Sequence, residues 1–412
     1  MRHIKIVFIT GLLSLTALWM LADSFAHPPF TYFSFRSVFI QYSGVIGIAV
    51  MSISMLLATR PKWLERPLNG LDKMYRLHKW LGITGLVLSA LHWWWAQGTK
   101  WMVGWGWLIR PEKKAQDLEA LPQLQQWLLD QRGLAESIGE WAFYLAMLLI
   151  ILALLKSFPY HLFLKTHKLL AIVYLLLAYH SAVLIKYDYW SQPIGWLMML
   201  LLIVGTLSSL IVLTGQVGRN RKVQGEITSL TSYPGVRVIA STIKLSPGWS
   251  GHRPGQFAFV SSKKSEGAHP YTIASAWNEQ ESCVTFVVKE LGDWTGQLNQ
   301  WLKVGMPVSV EGPYGCFNFK DDRPRQIWIG AGIGVTPFIA KMQHLIKDRG
   351  NREVDFFHVT ADYDQDAIDK LKETAKKANI RLHITITPKD GRLTPERIRT
   401  LVPEWQSASF WF

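Results

Sequence analysis

The chain has 412 residues, 49% of them hydrophobic, and 20 tryptophans, which excludes a polar disordered chain and points to two or three domains with membrane spans. Its formal charge of +14 would suit nucleic acid. Much of that charge, however, lies in short segments beside apolar runs, Arg60 to Lys79 and Arg219 to Lys222, so the chain reads as a membrane protein with no nucleic-acid partner.

Six stretches are candidate spans: Ile6–Leu21, Ser37–Ala58, Tyr75–Ala96, Ile138–Leu155, Leu162–Ile185 and Ile194–Leu213. The first, with Arg2 and Lys5 before it and Ser24-Phe25-Ala26 after it, also has the outline of a signal peptide. A retained anchor is the preferred reading. Six spans put both ends in the cytoplasm and the protein in the plasma membrane, or the inner membrane of a bacterium. The two cysteines, Cys283 and Cys316, both lie in the tail, so no disulfide framework or zinc site can be built.

Histidines punctuate two of the spans. His78 and His92 are fourteen residues apart, about 21 Å along a helix and on nearly the same face. Gly82 and Gly85 between them would let a flat, bulky group approach the backbone. His167 and His180 are thirteen apart. A lone histidine in an apolar span is ordinarily a buried, hydrogen-bonded residue, but polar groups inside a membrane tend to face an interior site. Four of them at matching depths outweigh the ordinary reading. Two helices running the same way would set His78 opposite His167 and His92 opposite His180, the arrangement for two stacked haems with two axial imidazoles each. Thirteen residues leave His180 about 140° off His167, so this helix must bend, bulge or reorient its rings. Tyr174 lies midway and reads as packing. The outer loop Gln97–Ser137, with Trp101, Trp105, Trp107 and Trp127 and a mixed-charge stretch from Glu112 to Arg132, reads as an interfacial cap.

From Arg219 the pattern changes to short strands. Val223–Thr231, Gly235–Leu245, Gln256–Ser261, Tyr271–Ala274, Val284–Val288 and Val308–Glu311 suggest a six-stranded antiparallel barrel. It carries Arg253-Pro254-Gly255-Gln256-Phe257, His269-Pro270-Tyr271-Thr272-Ile273-Ala274-Ser275, Lys289, Gly292-Asp293-Trp294-Thr295 and Glu311-Gly312-Pro313-Tyr314-Gly315. In this order the motifs resemble the FAD-binding barrel of the ferredoxin reductase class. By that resemblance Arg253, Gly255, Gln256, Phe257, Lys289 and His269, Pro270, Tyr271 and Thr272 line the flavin. Gly292, Asp293, Trp294 and Thr295 would open a short helix whose N–H groups hold the pyrophosphate.

A buried-strand pattern, Gln326-Ile327-Trp328-Ile329, then runs into Gly330-Ala331-Gly332-Ile333-Gly334-Val335-Thr336-Pro337 and a helix through Phe338–Lys347. The glycines suit a tight turn against a phosphate, Thr336 can cap the helix, and Pro337 suits its first turn. The spacing Gly-x-Gly-x-Gly departs from the dinucleotide fingerprint, yet strand, glycines, Thr-Pro and helix together match the nicotinamide domain of the same class.

The paired histidine spacings followed by this tail resemble the ferric reductase and NADPH oxidase family, from about Arg36 to Phe412. The resemblance implies a multi-domain membrane protein: a six-helix di-haem bundle (1–215), an antiparallel β-barrel FAD domain (219–318) and an α/β NAD(P) domain (325–412). It implies two haem b groups, FAD, and NADH or NADPH as donor. The activity implied is electron transfer across the membrane to ferric iron or dioxygen on the outer face. Two other readings are an electron-delivery subunit for a periplasmic redox protein, and a haem-binding scaffold without turnover. Gly330, Ala331, Gly332, Gly334, Val335, Thr336, Pro337 and Thr360 would meet the donor. Where many members of the family have an arginine for a 2′-phosphate, this chain reads His358-Val359-Thr360-Ala361-Asp362, so NADH is expected to serve at least as well as NADPH. Ser409-Phe410-Trp411-Phe412 reads as a strand leading into the family's Cys-Gly-Pro turn, which suggests a truncated sequence.

Overall fold

A computed structural model describes residues 2–25, 28, 30–112, 121–263, 265–348 and 352–412. Ala26 of the signal-like triplet and residues 113–120 of the mixed-charge loop lie outside the described residues. The chain divides into two compact units, Met1–Val217 and Gly218–Phe412.

Six long helices make up the first unit among the described residues: α1 (Arg2–Met20), α2 (Tyr32–Ala58), α3 (Leu71–Gly104), α4 (Gln123–Leu154), α5 (Tyr160–Leu184) and α6 (Pro193–Leu213). A reciprocal capping box between Thr31 and Ser34 starts α2, and Pro193 sits in the first turn of α6. Five of the helices, all but α3, are long and apolar enough to cross a membrane, so five of the six expected spans meet that requirement and one falls short of it. The exception contains Tyr75–Ala96. Its tryptophans, histidines, glycines and threonine dilute the leucines, although its 34 residues reach about 51 Å. On the other helices large apolar side chains such as Leu13, Trp141, Leu148, Ile203 and Leu207 face outward, as lipid-facing positions do. Trp19 at the end of α1 is fully buried, and Asp23 just beyond pairs with Lys186 and Tyr189.

The packing leaves a gap where the sequence places the histidines. The main partner of α3 is α2, that of α5 is α4, and α6 bridges α2 and α5. The two histidine helices therefore lean on other helices rather than on each other.

Strands β1 (Lys222–Tyr233), β2 (Val238–Leu245), β3 (Phe257–Ser261), β4 (His269–Thr272), β5 (Cys283–Lys289) and β6 (Pro307–Tyr314) form an antiparallel sheet in the order β4-β3-β6-β1-β2-β5. An Ile273–Phe286 bridge joins its two edges. Alternation sets the core: Val284, Phe286 and Val288 of β5 point inward, while Thr285, Val287 and Lys289 lie on the other face. The second sheet is parallel, β10-β7-β8-β9, from β7 (Arg325–Ala331), β8 (Glu353–Thr360), β9 (Arg381–Ile386) and β10 (Ala408–Trp411). Consecutive burial of Gln326, Ile327 and Trp328 is what a strand covered on both faces requires. Helices α7 (Thr336–Lys347) and α8 (Gln365–Lys377) complete this part.

Candidate functional site

The four histidines meet in two pairs. The ring centres of His78 and His167 are 5.9 Å apart, and those of His92 and His180 are 6.2 Å apart. Two imidazoles on opposite sides of one metal ion have ring centres about 6.2 Å apart, from metal–nitrogen bonds of about 2.0 Å and nitrogen-to-centre distances of about 1.1 Å. Both pairs fit that requirement. The α5 helix is α-helical throughout, so no bulge corrects its thirteen-residue spacing, yet both of its histidines reach their partners.

Neighbouring helices hold the rings. Nδ1 of His78 donates to the Ser54 carbonyl at 2.9 Å, and Nδ1 of His92 to the Ile40 carbonyl at 3.1 Å. Ile40 and Ser54 are themselves fourteen residues apart on α2, so the spacing on α3 is matched on the helix that braces it. Nδ1 of His180 donates to the Ala135 carbonyl at 2.8 Å. These bonds place the proton on Nδ1 and leave Nε2 with the lone pair a metal needs. His167 differs: its buried Nδ1 lacks a partner among the described residues, and its ring stacks on Phe163 at 4.9 Å. The three carbonyls were not foreseen from the sequence, since backbone groups leave no mark in side-chain spacing.

A cavity of about 260 Å³ opens beside the His92–His180 pair, with Gly44, Gly47, Gly139, Arg36 and Arg132 in its lining. A methyl group at Gly139 would overlap the His180 ring. Gly82 faces open space, as the approach of a flat group demands, whereas a Cβ at Gly85 would lie 3.3 Å from Met51. Arg36, which donates to the Trp95 and Ala96 carbonyls, was also missed, although an arginine at the edge of an apolar span is itself a signal. Tyr174 is packing, as expected: it is 3% exposed and bonds Ser52 Oγ at 2.8 Å, in space left by Gly205.

In the second unit the flavin-type motifs converge on one end of the barrel. Gln256 accepts from the Arg253 N–H at 2.8 Å and donates to the Gly315 carbonyl at 3.3 Å. Gly255 has φ +94° and lies against Phe317. Strand β4 pairs Thr272 with Phe257, and His269 stacks on Trp294 with ring centres 5.7 Å apart. The Gly292 N–H expected for a pyrophosphate instead donates to Thr295 Oγ1 at 3.0 Å, because the segment forms a 3-10 turn, Thr295–Gln297, before a single α-turn. Lys289 pairs with Asp362 at 2.6 Å. His252, which no motif marks, is buried. It hydrogen-bonds the Ser275 carbonyl through Nε2 at 2.9 Å and lies against the Trp249 indole. Burial pushes its imidazole down to about 4.

Strand β7 runs into a 3-10 turn, Gly332–Val335, and then α7. Gly332 has φ +52°, a Cβ at Gly330 would lie 3.2 Å from Phe338, and one at Gly334 would meet open space. Thr336 does not cap α7. It is the first helical residue, and its hydroxyl donates back to the Ile333 carbonyl at 2.7 Å. Pro337 takes the first turn, between Thr336 and Phe338. Thr360 is 5% exposed, and its hydroxyl donates to the Asp362 carbonyl at 2.8 Å. His358 is buried with Nδ1 on the Gly330 carbonyl, and burial keeps it neutral. It cannot stand in for an arginine. A cavity of about 210 Å³ lies among Gly332, Ile333, His358, Thr360, Thr285 and Lys289.

Fold and site thus define a helical bundle with two metal-spaced histidine pairs, joined to a barrel and a parallel sheet with a glycine turn. Residues 43–178 match the ferric reductase like transmembrane component, and residues 232–318 match an FAD-binding domain. The first match includes His78, His92 and His167; His180 lies two residues beyond it. The chain is 28% identical over 221 residues to respiratory burst oxidase homolog protein E of Arabidopsis thaliana, covering 46% of this chain and 22% of that protein. It is 39% identical over 88 residues to ferric reduction oxidase 5 of the same plant, covering 20% and 12%. Against a superoxide-generating NADPH oxidase heavy chain of Dictyostelium discoideum it is 31% identical over 114 residues, covering 23% and 22%. The chain therefore spans less than a quarter of the length of each of these relatives. By these matches the first unit is similar to a ferric reductase like transmembrane component, and the second carries a stretch similar to an FAD-binding domain.

Proposed function

We propose that the chain carries electrons from NADH or NADPH, through FAD and two b-type haems, across a membrane to ferric iron or dioxygen on the far side. The observation that carries this reading is the pair of ring separations, 5.9 and 6.2 Å, on two helices that do not lean on each other. A flavin converts a two-electron hydride into single electrons, and bis-imidazole haems take them one at a time. His78 and His167 would hold one haem, and His92 and His180 the other. The Ser54, Ile40 and Ala135 carbonyls fix the tautomer and aim of three of these rings.

Around the flavin, His269 to Thr272 and Phe257 offer the surface of β4 and β3, and Gln256 locks the Arg253 loop to Gly315. The turn Gly332–Val335 leaves room at Gly334 for the donor's phosphates. Basic segments Arg60 to Lys79 and Arg219 to Lys222 support a cytoplasmic second unit and an outer-side His92–His180 pair. On this reading α3 crosses as the sixth span despite its lower apolarity, since its histidines must lie at two depths.

Membrane vesicles of both orientations test direction and activity together. With FAD present, NADH added outside inverted vesicles should reduce a ferric chelate trapped in the lumen, and right-side-out vesicles should not. Repeating the assay with dioxygen, with and without superoxide dismutase, separates the two acceptors. Reduction only in right-side-out vesicles would reverse the path.

A further inference from the structure

We infer that Asp362 selects the electron donor by occupying a latent 2′-phosphate site formed by Lys289 and Arg237. The inference rests on the reading that a nicotinamide donor lies along the Gly332 turn and the end of β8. Asp362 stands two residues beyond β8, at the carboxyl edge of a parallel sheet, where open α/β sheets bind dinucleotides. Its carboxylate takes Lys289 Nζ at 2.6 Å and Arg237 Nη2 at 3.7 Å. Neither cation comes from the nucleotide domain: Lys289 ends β5 of the barrel, and Arg237 precedes β2.

Two cations aimed at one point repel each other unless an anion lies between them. In this chain the anion is internal. A 2′-phosphate, with about two negative charges and three acceptor oxygens, is the group in a dinucleotide that would satisfy both cations. With Asp362 in place that phosphate meets a carboxylate, whereas a ribose 2′-hydroxyl can donate to it. The Lys289 hydrogen bond holds the Asp362 carboxyl below the usual carboxylate range, so it stays charged at neutral pH. The loop itself is anchored. Thr360 Oγ1 donates to the Asp362 carbonyl at 2.8 Å, and the Gly235 N–H donates to Asp364 Oδ2 at 2.9 Å. The discriminating residue is therefore Asp362 rather than Thr360, whose side chain is buried and committed.

The test is calorimetric binding of NAD⁺ and NADP⁺, which differ only in the 2′-phosphate, to the full chain in detergent with FAD. Wild type should bind NAD⁺ at least as tightly as NADP⁺. Asp362→Asn should tighten NADP⁺ about tenfold, the gain expected from a released charge-assisted bond, and weaken NAD⁺ about fivefold as its 2′-hydroxyl exchanges a charged acceptor for a neutral amide oxygen. Adding Lys289→Ala to that variant should remove the gain. If Asp362→Asn binds both nucleotides with the wild-type ratio, Asp362 is only a strut between barrel and sheet, and the inference falls while the donor reading stands. If wild type binds neither nucleotide, the donor reading falls and takes the inference with it. Retained NAD⁺ binding by the variant shows that it is folded.

Discussion

In the helical unit each candidate ligand stands on an unbroken helix, and backbone carbonyls of a neighbouring helix steady three of the four rings. In the second unit the candidate residues stand on strand ends and turns, and the decisive pairs join elements far apart in the chain, as Lys289 and Asp362 do across 73 residues. The contrast concerns what fixes a site. Carbonyls of a helix cannot be mutated away and tolerate little change in packing, whereas a site made of side-chain pairs can be rewired one charge at a time. The bundle should therefore fail by steric intrusion, and the second unit by changes of charge or protonation.

The largest expected effect is steric. Gly139→Ala puts a methyl group into the His180 ring and should empty the site shared with His92 while sparing the other pair. Gly44→Ala, whose Cβ would lie 3.3 Å from His92 Cε1, should only weaken that site. Haem content of the purified variants reads both, and equal losses would show that packing does not set the site.

Protonation comes next. His252 is neutral in the fold down to about 4, while in the unfolded chain it takes a proton near 6.5. Between those values protons favour unfolding, so its contribution is intact above about pH 6.5 and declines as pH falls to about 4, by roughly 3 kcal/mol. Release of FAD on titration of the full chain should follow that window, and His252→Gln should flatten it. An unchanged curve in the variant would assign the acid sensitivity elsewhere. Asp355, held low by His383 and Arg381 against the cost of its burial, acts only below the ordinary carboxylate range and so does not share the window.

The smallest effect on the fold belongs to Gly334→Ala. With open space around it and no left-handed backbone, the substitution should move stability by less than about 0.5 kcal/mol, yet weaken NAD⁺ binding several-fold. Loss of stability there would mean that the glycine serves the fold and not a ligand.

What could be read in the sequence follows the same division. Strand alternation marked all six barrel strands, and the histidine spacings marked both pairs, because period 2 and a helical repeat are local signals. Tyr75–Ala96 stands among the spans read from the sequence, yet α3 falls short on apolarity, since the residues that furnish a site dilute its leucines. The Thr336 cap and the Gly292 N–H were misplaced by local turn geometry, where one residue of 3-10 winding redirects a hydrogen bond. His252, the Ile40 and Ser54 carbonyls and the Lys289–Asp362 pair were not legible, because each depends on a partner that only the fold brings near.

The central claim is that each histidine pair holds one haem. A pyridine haemochrome assay on the purified full chain tests it most directly. Wild type should give two b-type haems per chain with low-spin spectra. His78→Ala or His167→Ala should leave one, and His92→Ala or His180→Ala should leave the other, with a distinguishable spectrum. One haem or none in wild type, or single variants that keep both, would contradict the account.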